Sequence, residues 1–98
     1  MRRTLLAGCV LLATAAANAA DFDIDAYCHM VTKEAADRDA AEETCRAQEK
    51  RDQRGLAELD FPDSIARHCN EVALGVGGSY RAMLTCVRQE LANQKLGD

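Results

Sequence analysis

Cysteine is the residue of this chain whose chemistry is most constrained by its spacing. Cys28 and Cys45 stand 17 positions apart, Cys69 and Cys86 do the same, and the two pairs are offset by 41. Two chemistries compete for such a set: oxidation in pairs to disulfides, or metal binding together with His29 and His68, each of which directly neighbours a cysteine. Zinc sites favour Cys-x(2-4)-Cys or His-x(3-5)-His spacings. Neither spacing occurs, and adjacent Cys-His side chains leave a helix on different faces. His29 and His68 are therefore read as solvated surface histidines, and the expectation is no metal and no cofactor. The alternative is a periplasmic protein that binds copper or zinc through Cys and His ligands, which would require free thiols.

Which chemistry wins depends on the compartment, and the N-terminal residues address that. Residues 1–19 have arginines at Arg2 and Arg3, an apolar run from Leu5 to Ala17, and the small-x-small triplet Ala17, Asn18, Ala19. This is the pattern of a secretory signal peptide cleaved after Ala19. The run is well short of the roughly 20 residues that span a bilayer. Leu6-Ala7-Gly8-Cys9 also matches a lipobox, but too few apolar residues precede Cys9, and cutting there would leave Val10 to Ala17 on the mature chain. Lipidation at Cys9 is therefore not expected. The remaining chain, 20–98, is expected to be one exported domain, periplasmic or extracellular, with no membrane insertion once the signal is removed.

Export of a small domain makes disulfides the default for four cysteines. In the chain-entropy model each is worth about 3 kcal/mol, comparable to the stability margin of a small domain. Without Arg2 and Arg3 the chain keeps ten basic residues against 16 acidic ones, a net charge of about −6. An acidic chain with no basic stripe has no electrostatic footprint for nucleic acid.

The elements that must position the cysteines follow from the repeat. Shifting the chain by 41 aligns Cys28 with Cys69, Val31 with Val72, Ala41 with Ala82, Thr44 with Thr85, Cys45 with Cys86, Gln48 with Gln89 and Glu49 with Glu90. Units of about 40 residues, roughly 21–59 and 60–98, suit helical pairs. In the second unit, Pro62, Asp63 and Ser64 are start signals, and Ile65, Cys69, Val72 and Val76 predict one helix face. Gly75, Gly77 and Gly78 stop that helix. Ser79 suits an N-cap for a second helix with its apolar face through Tyr80, Met83, Leu84, Val87 and Leu91.

Cys69 and Cys86 are equidistant from the point between Gly77 and Gly78, so an antiparallel helix pair sets them at the same height. Cys28 and Cys45 have the same symmetry about Ala36 and Asp37. The favoured disulfides are Cys28–Cys45 and Cys69–Cys86. A nested pairing, Cys28–Cys86 with Cys45–Cys69, is the scheme of twin-CX9C helical hairpins. It needs residues 69–86 to run as one helix through three glycines, and 17 residues rotate the second cysteine roughly 100° off the first one's face. The first unit has no glycine at its turn. Asp37 or Asp39 must cap its second helix, with Glu42 completing a capping box from Asp39. An unbroken helix would hold Cys28 and Cys45 about 25 Å apart.

The second unit, "CNEVALGVGGSYRAMLTCVRQE" from Cys69 to Glu90, resembles short exported proteobacterial proteins with a C…GGSY…C..QE unit. The first unit departs from that pattern at the turn, reading "ADR" where "GGS" would stand. The resemblance implies an exported helical protein and brings no activity with it.

Other chemistry is sparse. No Gly-rich phosphate loop, redox CxxC, haem CxxCH or nucleophile-base arrangement occurs, so no catalytic residue is assigned and an enzyme is not expected. Tyr80, beside the glycines, is the candidate interaction residue, with packing on the preceding helix as its competing role. The polar run from Glu42 to Leu59 is either solvated or a docking face. The expectation is an all-α protein of two tandem disulfide-stapled helical hairpins, a binding or structural module of the cell envelope with a protein partner.

Overall fold

The computed structural model describes residues 20–97; residues 1–19, expected from the sequence to be a signal peptide, and with them Cys9, lie outside the described residues. Among the described residues there are four helices and no strand: α1 (Ile24–Val31), α2 (Arg38–Ala57), α3 (Asp63–Gly75) and α4 (Tyr80–Gly97). They form two hairpins, α1 with α2 and α3 with α4, and α2 of the first lies against α4 of the second. Each hairpin carries its own disulfide. Cys28–Cys45 has a Cα separation of 5.6 Å and Cys69–Cys86 one of 5.5 Å, within the range that unstrained disulfides occupy. The nested pairing is thereby excluded. No helix among the described residues is long and apolar enough to cross a membrane.

The second hairpin turns on its glycines. Gly77 and Gly78 adopt φ of +104° and +88°, which side chains with a Cβ rarely tolerate. The Gly78 N–H donates to the Ala73 carbonyl at 2.9 Å and the Gly77 N–H to that of Leu74 at 3.0 Å. This pair of bonds is a Schellman motif, and it satisfies carbonyls that the end of α3 leaves open. One residue later the Ser79 hydroxyl accepts the Ala82 N–H at 3.2 Å and opens α4.

The first hairpin turns without glycine, by side-chain caps. The Thr32 hydroxyl donates to the Cys28 carbonyl at 2.6 Å, closing α1 after only eight residues. Asp37 then accepts the Ala40 N–H at 3.2 Å and starts α2. Asp39, which falls inside the helix, forms no capping box with Glu42. The Glu42 carboxylate lies instead 3.3 Å from His29 Nδ1 and 3.7 Å from the Arg46 guanidinium. Helix α1 has its own aspartate cap, Asp23, which accepts the Ala26 N–H at 3.0 Å.

Packing is uneven between the hairpins. The buried cluster comprises Ile65, Cys69 and Ala73 of α3, Tyr80, Met83, Leu84 and Val87 of α4, and Leu56 of α2. The buried face of α3 is rotated from the one predicted. It runs through Ile65, Ala66, Cys69 and Ala73, while Val72 and Val76 remain 42% and 50% exposed. Cys69 belongs to both faces, so packing against α4 decides between them: the two alanines allow the backbone of α3 to approach α4 while the bulkier valines stay at the flank. Helix α2 is not merely solvated: Glu49 and Leu56 are buried on the side that meets the second hairpin.

Candidate functional site

A helix start leaves several N–H groups without partners, and a nearby anion satisfies both the donors and the positive end of the helix dipole. Helices α1, α2 and α3 each carry an aspartate in the first turn, whereas α4 has no acidic residue there. The missing carboxylate comes from the other hairpin. Glu49 of α2, only 3% exposed, accepts the Tyr80 N–H at 2.6 Å, the Ser79 hydroxyl at 2.9 Å and the Arg81 N–H at 3.4 Å. A buried carboxylate is tolerated where such donors surround it, and charge-assisted bonds of this kind are the strong ones.

Tyr80 completes the joint. Its ring is 1% exposed and packs on Phe22 with centroids 4.9 Å apart. Its hydroxyl donates to the Ala20 carbonyl at 3.1 Å and accepts from the Phe22 N–H at 3.0 Å and the Gln53 side-chain amide at 3.2 Å. Tyr80, the candidate interaction residue of the sequence, is turned inward, where its phenol ties α2, α4 and the segment before α1 together. Gly78 sits under Phe22, since a Cβ there would lie 3.5 Å from that ring. Gly77 is covered by α1, with the Met30 methyl too close to admit a Cβ without displacement.

Beside this joint an open groove of about 540 Å³ runs between α3 and α4 toward the Cys69–Cys86 disulfide. Val72, Val76 and Ala82 line its apolar part, Tyr27 of α1 and Arg81 border one end, and Glu90 lies at the other. His68 Nε2 is 3.9 Å from Glu90 at that end, too far for a hydrogen bond. The geometry suits contact with an apolar surface edged by polar groups.

The two histidines singled out from the sequence belong to different hairpins. His29 side-chain exposure is 63%, and its Nε2 lies 3.0 Å from Arg38 Nη2. Among the described residues no three His, Cys, Asp or Glu side chains gather where they could hold a metal ion. All four described cysteines are consumed in disulfides, so the thiols a metal site would need are absent among them. Glu49 was the functional residue that sequence reasoning missed. The Gln-Glu pairs were visible, but the informative signal was the absence of an acid in the first turn of α4. Comparison with known protein families, with characterised proteins and with solved structures finds no match to this chain.

Proposed function

We propose that this protein is an exported helical module of the cell envelope that acts by binding a partner rather than by catalysis. The observation that carries this reading is that Cys28, Cys45, Cys69 and Cys86 are all committed to disulfides within their own hairpins. Such bonds persist in oxidising compartments, in keeping with the leader-like residues 1–19. Support for binding comes from the groove at Val72 and Val76, two large apolar side chains left half-exposed beside polar groups. No observation favours the metal-binding alternative over this reading. Mass spectrometry of the protein from a periplasmic extract, with thiol titration, tests the proposal. A chain beginning at Ala20 with no free thiol is expected, and a retained leader or two or more free thiols would overturn it.

A further inference from the structure

The joint that Glu49 and Gln53 make with the start of α4 has a second copy in the sequence that carries no such load. Counting from the cysteine of each second helix, Gln48, Glu49 and Gln53 follow Cys45 by three, four and eight residues, and Gln89, Glu90 and Gln94 follow Cys86 identically. Both sets lie within an unbroken helix, α2 or α4, so each stands at the same angle to its disulfide. The structural outcome differs sharply. Glu49 is buried on three donors of the next hairpin, whereas the Glu90 side chain is 38% exposed and Gln94 is at the surface.

We propose that Glu90 and Gln94 form an open docking site for the start of a helix, supplied by a partner chain whose hairpin turns on Gly-Ser-Tyr as this one does. Docking there repeats the hydrogen bonds already made once inside the molecule, without the ring packing, since Asp63 stands at the position of Phe22: the carboxylate takes the N–H groups of the incoming helix and the amide takes its tyrosine hydroxyl. A second copy of this chain does not fit. Its own Ser79-Tyr80 start is held by Glu49, and its other helix starts carry Asp23, Asp37 or Asp63, which Glu90 would repel. The open copy is also more polar than the closed one, with His68 and Glu71 at the positions of Tyr27 and Met30. Polar character of this kind suits a partner that comes and goes rather than a permanent core.

This deepens the binding-module reading, and leader removal and thiol content test that reading separately. The direct test appends a further copy of residues 58–98 after Asp98, which preserves the 41-residue period and presents a third Gly-Gly-Ser-Tyr turn to Glu90. A non-reducing digest first confirms that the added hairpin has closed its own disulfide. The added tyrosine is then expected to resist chemical modification as Tyr80 does, with Glu90→Ala raising its reactivity roughly tenfold, the factor that corresponds to one charge-assisted bond. Gln94→Ala raises it less, and in the native two-hairpin chain Glu90→Ala leaves Tyr80 reactivity unchanged. The proposal is overturned if the added tyrosine reacts freely whatever residue stands at 90. It is equally overturned if the native chain sediments as a dimer that Glu90→Ala dissociates, because the occupant is then a second copy.

Discussion

The two hairpins share a disulfide in the same place and almost nothing else that holds them. The second has an apolar seam of its own, with Ile65, Cys69 and Ala73 packed on Met83, Leu84 and Val87, and a turn set by two glycines of positive φ. The first buries Cys28 and Thr32 from the α1 side, and its α1–α2 surface is laced with exposed pairs such as His29–Glu42 and Arg46–Asp25. Exposed ion pairs contribute little stability. The difference shows that one supersecondary unit can be kept by packing in one copy and by its staple in the other. The dependence runs both ways: Glu49 of the first hairpin caps α4 of the second, while the first hairpin receives the turn of the second between α1 and α2 and gains there contacts that its own helices lack.

The largest test of that asymmetry removes one disulfide at a time. Cys28→Ala with Cys45→Ala is expected to lower stability by about 3 kcal/mol in the chain-entropy model, and to release α1 from protection in hydrogen exchange. Cys69→Ala with Cys86→Ala has a comparable entropic cost, but α3 should stay protected because its apolar seam remains. Urea unfolding with residue-resolved exchange reads both. Equal loss of protection in α1 and α3 would sink the distinction between a packed and a stapled hairpin.

Next in size is the joint between the hairpins. Glu49→Gln keeps the shape but removes the charge that three donors at the start of α4 converge on. A cost of about 2 kcal/mol is expected, the range for hydrogen bonds to a charged group. Glu90→Gln should change stability by less than about 0.5 kcal/mol, as for an exposed surface position. Similar values for the two variants in thermal unfolding would show that the first hairpin does not cap the second.

How legible this was from the sequence differs between local and distant features. The disulfide pairing and the Gly77-Gly78 turn could be read because each is set within one hairpin by residues close in the chain. Which face of α3 is buried could not, since the valines at 72 and 76 and the alanines at 66 and 73 satisfy the same helical period. Only the packing of α4 selects between them. The role of Glu49 was hidden because its partners, Ser79 and Tyr80, lie 30 and 31 residues away in the other unit. Helix starts reveal their need for an anion locally, but not which distant side chain supplies it.

Gly77 tests the packed turn against the capped one. Gly77→Ala places a side chain at φ +104° and against the Met30 methyl. The left-handed backbone alone costs about 1–2 kcal/mol, and Met30, which is 44% exposed, is free to move aside. A variant combining Gly77→Ala with Met30→Ala should recover only the part due to contact. Full recovery in thermal unfolding would show that the turn tolerates a Cβ and that the crowding came from α1.

The smallest effect expected belongs to the turn without glycine. Asp37 accepts one N–H, that of Ala40, at an exposed position, so Asp37→Ala should cost about 1 kcal/mol, as for other N-caps. Asp39, one turn-position inside α2, interacts with the helix start only through its charge, and Asp39→Ala should cost no more than about 0.5 kcal/mol. The contrast separates a hydrogen-bonded cap from a favourable charge, because added salt should erase most of the Asp39 effect and leave most of the Asp37 effect. If the order were reversed, Asp39 rather than Asp37 would cap α2 in solution, and the spacer between α1 and α2 would be two residues longer. Cys45 would then sit closer to the helix start, and the shared placement of the two disulfides would owe less to the caps than to the bonds themselves.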